Sequence, residues 1–399
     1  MLEAGEADLI SAVHRDWCCS LVEAAAVHLR GGTEQVRWLE LLEIDRDNIS
    51  AALEWSIRSG DARTGLRIAI GAAWFWYLRG HWDDATRWLG QTLAVEGAEP
   101  TLRARAGAWN ALFHWRRELI STAKQLSQSS LATLNGSGDD GEGLSRLVLS
   151  LVAISVRDLD QAETYGRQAL DVFREHGHRW GVTTSLLVLT HVAINRKSPD
   201  VTTLLEKSAA LLESSPDRWG RAQILNLRGY EALRNLELDR ARDFHAASKA
   251  LATELGDRAG QAQNLLALGH IHLLRGEDQD AARTLLENRS LLEQLQDHHQ
   301  LAHADQALAL LAISSGRDAE GQALFDDVTR RLREMGLATM GGANVLDTAD
   351  LYRRAGRPSL ASALLRHALT LIDPTQQSLE YAQAQHELAA LADVGEQTL

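Results

Sequence analysis

Apolar residues recur at three- and four-residue steps along most of the chain, which is the period of an amphipathic helix. Gln261–Gly276 and Asp278–Gln296 each show this pattern over one helix length, with Glu277 between them for the turn. Asp278 or Asp280 can cap the second helix, because a carboxylate accepts from the free N–H groups of a first turn. No segment alternates with period two for long, so we predict an all-α chain.

A repeat of about forty residues underlies these helices. The tetrapeptides HRWG, DRWG, DRAG and DHHQ begin at His178, Asp217, Asp257 and Asp297. A second series of mostly small residues keeps the same spacing: Ala85, Ala123, Ala162, Val201, Ala241, Ala281, Gly321 and Ala361. A single hairpin cannot bury its apolar face, whereas a stacked neighbour covers it. We therefore predict a right-handed superhelical solenoid of about eight helical hairpins between residues 61 and 373.

The repeat resembles the tetratricopeptide repeat. Leu265–Ala281 (LLALGHIHLLRGEDQDA) follows that family's order of leucines, glycine and alanine, with His272 in place of the usual tyrosine and a longer period. Gly229 and Gly269 fit the need for small residues where the two helices of a hairpin cross closely. We expect residues 374–399 to form a terminal helix and tail that cover the last exposed face.

The front of the chain carries a second resemblance. Residues from about Gly5 to Leu93 resemble the start of the helical-repeat region in large bacterial, especially actinobacterial, transcriptional regulators of the STAND class, the AfsR-like and ATP-binding LuxR-like proteins. The shared positions are Trp38-Leu39, Asp47-Asn48-Ile49, Ala51-Ala52-Leu53, Trp55, Trp76 with Arg79-Gly80, and Trp88-Leu89. The resemblance implies a helical connector in residues 1–60 that follows a winged-helix module and leads into the repeats at 61–373.

Two modules of that family are missing from the sequence. It contains no Gly-Lys-Ser/Thr, so no P-loop can hold nucleotide phosphates, and neither end carries a basic helix-turn-helix. The resemblance therefore implies the sensor arm of a regulator, either excised or stand-alone. In the first case its partner is an ATPase and winged-helix core.

Charge and composition exclude several functions for this segment. The formal net charge of −13 opposes direct binding to nucleic acid or to anionic lipid, since both require a positive surface. The longest strongly apolar run, Ile68–Leu78, is too short to span a bilayer, and the acidic start lacks the basic residues of a signal peptide. Cys18 and Cys19 are adjacent and are expected to be free thiols. We expect a cytoplasmic protein without membrane contact.

Asp45 and Asn48 are unusual because they fall on the apolar stripe of a predicted helix. One interpretation is a helix break, with Asp45 or Asp47 capping a second helix near Asn48. Another is a continuous helix in which Asp45 and Asn48 bond to neighbouring backbone and form the joint between the connector and the first hairpin. The third is contact with an upstream domain. All three roles are structural.

No motif predicts catalysis. Gly136–Gly141 (GSGDDG) matches G-x-G-x-x-G, but it follows a helix instead of a strand and its two aspartates would repel phosphate, so it is read as a loop. His299 and His303 have metal-ligand spacing without an evident third ligand, and a solvated or groove-facing pair is preferred. Asp45–Asn48 lacks the glycine of a calcium loop. We expect no enzyme activity, no cofactor and no metal.

A ligand is expected on the first helices of the hairpins, which line one side of such a stack. The arginines in Thr329–Glu334 and Tyr352–Arg357 are read as solvated helix faces or, alternatively, as partners for acidic groups. The predicted groove residues are Trp74, Tyr77, Trp115, Arg116, His191, Asn195, Asn226, Tyr230, Arg234, His270, His303, Gln306, Asp350, Arg353 and Arg354. Trp74 and Tyr77 can equally be core residues between hairpins.

The sequence thus favours a non-catalytic protein- or peptide-binding sensor of a bacterial transcriptional regulator, in which binding changes the solenoid and shifts an inactive–active equilibrium. The alternative is a free-standing scaffold or adaptor protein. A metal-dependent enzyme that uses His299 and His303 is the least favoured hypothesis.

Overall fold

The computed structural model describes residues 4–213, 215–375 and 377–396. These residues form twenty α-helices and no strand. Three front helices come first: α1 (Ala4–Leu29), α2 (Gln35–Ile44) and α3 (Arg46–Arg58). The chain ends in a single helix, α20 (Ser378–Glu396). The predicted all-α fold is confirmed.

Eight helical hairpins lie between the front helices and α20. They are α4 (Ala62–Arg79) with α5 (Trp82–Ala94), α6 (Pro100–Arg116) with α7 (Ile120–Leu134), α8 (Asp140–Ser155) with α9 (Leu159–Glu175), α10 (Arg179–Asn195) with α11 (Val201–Glu213), α12 (Arg218–Arg234) with α13 (Leu238–Leu255), α14 (Arg258–Arg275) with α15 (Asp278–Leu295), α16 (His298–Ser314) with α17 (Asp318–Glu334), and α18 (Ala338–Arg354) with α19 (Pro358–Leu371). The number of hairpins predicted from the repeat is confirmed.

The turn inside each hairpin recurs with the spacing of about forty residues. One residue there adopts the left-handed conformation, which stops the first helix and turns the chain towards the second. Those residues are Gly80, Glu118, Arg157, Lys197, Leu236, Gly276, Gly316 and Gly356, with φ between 55° and 78°. Half of these positions hold a side chain that this conformation disfavours.

Aspartates cap several of the hairpins' first helices. The side chains of Asp61, Asp217 and Asp297 accept from the backbone N–H three residues later, at 3.0 to 3.1 Å. Two of these begin the tetrapeptides of the sequence repeat, so the repeat marks the start of first helices. The predicted cap of α15 is wrong, because its N-cap is Glu277 and no side chain bonds there.

Glycine is required where the two helices of a hairpin approach closely. A Cβ on Gly229 would lie 2.6 Å from Nε2 of His245, and one on Gly269 would lie 2.3 Å from a methyl group of Leu285. Both distances are far below van der Waals contact. The predicted role of these two glycines is confirmed.

The chain divides into two compact units. Unit 1 comprises Met1–Leu227 and Ala250–Arg258, and unit 2 comprises Arg228–Lys249 and Ala259–Leu399. In unit 1 the front helices α1 and α3 pack on α4, and the interior contains Phe75, Trp76 and Phe113. In unit 2 the core is built around Phe325 and Tyr352, and Tyr381, Leu388 and Leu391 of α20 pack against it. This is the covering role expected of the last helix.

The front helices break at Asp45. The helix α2 ends at Ile44 and α3 begins at Arg46, so the continuous-helix interpretation is wrong. The Asp45 side chain makes no cap bond to backbone and instead accepts from Nδ2 of Asn48 over 2.9 Å. Since Asn48 is exposed, the pair is a surface contact and not a buried joint.

Two further expectations concern the cysteine thiols and membrane-spanning helices. Cys18 and Cys19 are buried free thiols, as predicted, and burial raises the pKa of Cys18 to about 12. No helix in the described part of the chain combines the length and apolar character needed to cross a bilayer.

Candidate ligand-binding surfaces

Four first helices of unit 1 meet in a cluster of aromatic rings, which we call the tryptophan cluster: Trp74, Tyr77, Trp109, Trp180 and Trp219. The Trp74 ring stacks on Tyr77 with centroids 4.7 Å apart and meets Trp180 and Trp219 edge-on at 5.0 and 4.9 Å. Trp74 is only 2% exposed. It is therefore a core residue, and its predicted place on an open groove is corrected.

The other predicted residues of unit 1 differ in exposure. His191 is exposed, and Asn195, half-buried, donates to the carbonyl of His191. Trp115 donates from its indole to Oγ of Ser155 over 3.1 Å. The guanidinium of Arg116 lies 4.2 Å from the ring centre of Trp82. These four residues keep a side accessible to a ligand.

Asn226 has no side accessible to a ligand, since it is 2% exposed. A helix period places this amide on one face of α12 but cannot show that the face is covered by neighbouring helices. Its predicted contact with a peptide is corrected for that reason.

The turn between α1 and α2 lies against the repeats of unit 1. Arg30, near the end of α1, pairs with Asp140 at the start of α8 over 2.9 Å, although 110 residues separate them. Its guanidinium also lies 4.8 Å from the ring centre of Trp109, at cation–π distance. Burial lowers the pKa of Arg30, and the Asp140 carboxylate opposes that shift.

Gln35 makes the second link from this turn, and all of its hydrogen-bonding groups are used. Its Nε2 donates to the carbonyl of Leu29 and to Oδ1 of Asp217, both at 3.0 Å. Its Oε1 accepts from the backbone N–H of Arg218 over 2.8 Å. Gln35 is 1% exposed and Asp217 is 2% exposed. We call the Arg30–Asp140 and Gln35–Asp217 contacts together the connector latch.

The sequence does not predict the latch, and its helical pattern indicates a joint at Asp45 and Asn48 instead. The only signal was indirect, because Asp217 opens one of the repeated tetrapeptides and Asp140 lies in the loop GSGDDG. Neither pattern indicates a partner more than one hundred residues away. The predicted joint at Asp45 and Asn48 is therefore corrected.

In unit 2, Tyr230 and Arg234 are half-buried on the last turns of α12. Tyr230 meets His245 edge-on at 5.0 Å, and burial raises its pKa to about 12. The carbonyl of Arg234 accepts from Arg354 over 2.8 Å. Two of the predicted groove residues, Arg234 and Arg354, are thus in contact in unit 2.

Arg353 and Arg354 are exposed and share one carboxylate. Both guanidinium groups pair with Asp350, and this holds the pKa of that carboxyl below its usual value although burial opposes the shift. In the other basic segment Arg330 pairs with Asp327 and Glu334. Paired arginines of this kind agree with the solvated-face interpretation.

Several histidines of unit 2 lie within hydrogen-bond distance of other polar side chains. His303 Nδ1 lies 3.0 Å from Oε1 of Gln306, whose Nε2 donates to Nε2 of His367 over 3.1 Å. His270 Nδ1 lies 3.0 Å from the hydroxyl of Tyr352. Burial lowers the pKa of His270 to about 4 and that of His303 to about 3. Gln306 is 6% exposed, so its predicted groove position is corrected.

The metal hypothesis gains no support from His299 and His303. Their rings meet edge-on at 4.7 Å, but the one group of three candidate metal ligands among the described residues is His272, Glu277 and Asp280. There, Glu277 already pairs with His272 at 2.6 Å and with Arg275 at 3.6 Å. Arg275 at Glu277 and Arg283 at Asp280 therefore already compensate these acids.

Comparisons with known proteins find a match to part of the chain. No protein-family model matches it. Two proteins, each named "Putative HTH-type transcriptional regulator", from Mycobacterium bovis and Mycobacterium tuberculosis, are 26% identical to it over 187 residues. The match covers 45% of this chain and 21% of those proteins. The chain thus spans about a fifth of the length of the curated relatives it matches.

Solved structures of similar fold are helical-repeat proteins. A Rap protein complexed with competence and sporulation factor has a TM-score of 0.63 and 13% identity, covering 96% of this chain and 99% of that one. Aspartyl phosphate phosphatase F from Bacillus subtilis has a TM-score of 0.53 and 14% identity, covering 91% and 95%. At such identities the similarity shows the fold alone.

Proposed function

We propose that this chain is the protein- or peptide-binding sensor of a bacterial transcriptional regulator and acts without catalysis. Ligand binding on the first helices would shift the hairpins, and the connector latch would pass that change to the front helices. The mechanism requires a ligand that binds two arrangements of the hairpins with different affinity. The proposed connector is residues 1–60, the sensor proper is residues 61–373, and the end cap is residues 374–399.

The observation that carries the proposal is the connector latch. Gln35 uses both donors and its acceptor on α1 and on the start of α12, so the front helices cannot move without breaking buried hydrogen bonds. Such bonds are costly to leave unmade. Two findings support the regulatory context: the front-end resemblance and the match to named transcriptional regulators. The fold is shared with a Rap protein complexed with competence and sporulation factor.

The partner of the first helices is proposed to contact Arg234, with Arg353 and Arg354 nearby in unit 2. Arginines at the centre of an interface commonly carry much of its binding energy. Such a partner would present carboxylates, which the forked guanidinium group of Arg234 would hold in two-bond geometry. The same partner chemistry is proposed for His191 and Asn195 of unit 1. In a longer protein, the remaining partner is an ATPase and winged-helix core in the cytoplasm.

Capture from native cytosol followed by mass spectrometry tests the proposal. The immobilised wild-type chain should retain a protein or peptide that crosslinks to residues of the first helices. Arg234→Glu should weaken its retention at least about tenfold while the helical circular dichroism stays unchanged. Arg283→Glu is the matched control, because Arg283 is an exposed, ion-paired residue on a second helix. Equal retention by both variants would contradict the proposed surface.

The same experiment separates a regulator from the adaptor alternative. A P-loop ATPase with a DNA-binding domain, recovered as partner or encoded in the same reading frame, supports the sensor of a regulator. Retention of a partner without any such protein supports a free-standing adaptor instead.

A further inference from the structure

A cavity of about 310 Å³ lies beside the connector latch, wholly within unit 1. The α1–α2 turn forms one wall, and the last turn of α9, the first turn of α10 and the end of α11 form the others. Its volume falls at the lower end of the range for small-molecule sites. None of the predicted groove residues lines it, so it is a separate site from the groove positions described above.

Part of the cavity wall is apolar and accessible. Val27 is 74% exposed and Leu211 is 40% exposed, and both line the cavity together with Val182 and the ring of Trp180. Aliphatic side chains of this size are normally covered in a folded protein. Their grouping around one concave space favours a ligand with an apolar body.

The rest of the wall includes arginines beside glycines and small polar residues. Arg174 and Arg179 are exposed, and within the described residues neither forms an ion pair. Asp217 is the only acid among the described lining residues, and its Oδ1 already accepts from Gln35 and from the N–H of Gly220. The positive end of the α10 dipole adds to the attraction for an anion.

We propose that this cavity binds an apolar carboxylate, with the anionic group held by Arg174 and Arg179 and the apolar body against Val27, Trp180 and Leu211. A free carboxylic acid of medium chain length and the carboxyl end of a peptide share this chemistry. Guanidinium groups bind carboxylates by two parallel hydrogen bonds.

The cavity also joins the ligand to the connector latch, so this inference rests on the proposed function and names a ligand class for it. Gly31 and Gly32 of the α1–α2 turn line the cavity together with Arg30 and Asp217. Gly31 has φ of 97°, and a Cβ on Gly32 would lie 2.6 Å from Cα of His28. A bound ligand would therefore contact the α1–α2 turn, whose backbone conformation is restricted. Its binding would favour one arrangement of the connector latch.

Calorimetric titration of the whole chain with two probes tests the assignment. The probes are octanoate and a hexapeptide that ends in leucine with a free carboxyl group. At least one should bind with a Kd below about 1 mM. Octanol and the amidated peptide, which lack the charge, should bind at least about tenfold more weakly. Binding of octanoate alone identifies a free acid, and binding of the peptide alone identifies a peptide end.

Charge-removing variants complete the test. Arg174→Gln with Arg179→Gln should weaken the bound probe at least about tenfold, whereas Arg167→Gln, an exposed residue of α9 that pairs with Glu163, should not. Failure of both probes to bind, or equal binding by the double variant, would overturn the assignment. Partner capture depends on Arg234 in unit 2, so its result is separate from this one.

Discussion

Gln35 and Asp217 are joined by a 3.0 Å hydrogen bond across 182 residues of sequence. Gln35 opens α2, and Asp217 caps α12 through the N–H of Gly220. The carboxylate thus serves a helix start and a long-range contact at once. Burial raises the pKa of Asp217, and the bonds from Gly220 and Gln35 oppose that shift. The Gln35 amide is an uncharged donor to this carboxylate.

Gln35→Glu should therefore destabilise unit 1 by about 3 kcal/mol at pH 7, because it removes both donors and places a second carboxylate beside Asp217. All eleven tryptophans lie in unit 1, so urea unfolding followed by their fluorescence measures this loss. The defect should shrink as the pH falls towards 4, where a protonated glutamic acid can donate again. A change below about 0.5 kcal/mol would be inconsistent with a buried latch.

Arg30→Gln should cost about 2 kcal/mol of unit 1 stability, because it leaves the Asp140 carboxylate with Arg105 as its remaining partner. A double-mutant cycle with Asp140→Asn should give a coupling energy of about 1 kcal/mol or more. Arg37→Gln is the control, since Arg37 belongs to an exposed pair with Glu34 and should change stability by less than about 0.5 kcal/mol. Additive effects of Arg30→Gln and Asp140→Asn would show that the two side chains do not stabilise each other, and would contradict their place in the connector latch.

Unit 2 should lose stability in mild acid because of His245. The ring is fully buried, and its Nδ1 lies 3.0 Å from Oδ1 of Asn264. Burial lowers the pKa of His245 from 6.5 to about 4, so between these values the unfolded chain binds a proton that the folded chain excludes. Stability is present above pH 6.5 and falls as the pH drops, by about 2 kcal/mol from this group between pH 7 and pH 5.

Urea unfolding read by hydrogen exchange of peptides from residues 259–275, at pH 7 and pH 5, checks this prediction. His245→Gln should reduce the pH dependence by about 2 kcal/mol, and replacement of the exposed His298 by glutamine should leave it unchanged. An identical pH dependence in His245→Gln and the wild type would contradict the assignment.

Lys197→Gly should stabilise unit 1 slightly. Lys197 has φ of 55° in the turn between α10 and α11, a conformation that costs a residue with a Cβ about 1–2 kcal/mol. Glycine avoids that cost but loses more entropy on folding, so the expected net gain is about 0.5 kcal/mol in urea unfolding. Gly80→Ala, at the equivalent turn with φ of 78°, is the opposite test and should lower stability by about 1 kcal/mol.

Much of the fold could be predicted from the sequence because the information is local. The segments Gln261–Gly276 and Asp278–Gln296 correspond within a few residues to α14 and α15. Hydrophobic period, aspartate caps and left-handed turns all act within one hairpin, and eight copies in phase reinforce one another. The close contacts of Gly229 and Gly269 were predictable for the same reason.

The binding surfaces could be predicted only in part. Helical spacing puts Trp74, Asn226 and Gln306 on first helices, but burial depends on side chains from distant hairpins, and all three are buried. The latch depends on pairs such as Arg30 and Asp140, which no repeat relates. Asn48 lies on the predicted apolar stripe yet faces solvent, because the helix breaks at Asp45 and changes the phase.

Asn48→Leu should therefore change the free energy of unfolding less than it would if Asn48 belonged to a packed polar joint. The side-chain contact with Asp45 is exposed, and such a contact contributes little to stability. The midpoint of urea unfolding should move by less than the equivalent of about 0.5 kcal/mol. A loss of about 2 kcal/mol in the free energy of unfolding would instead support the packed joint that the sequence predicts.

Coupling between the repeats and the front helices is measured by hydrogen exchange in the α1–α2 turn when a ligand occupies the repeats. Amides of residues 29–35 should be compared in the free chain and in the chain saturated with the partner captured through Arg234. Because the latch joins this turn to the hairpins, ligand binding should change its exchange rate by about fivefold or more, equivalent to about 1 kcal/mol. Identical exchange in this turn, with protection confined to the binding helices, would contradict this coupling.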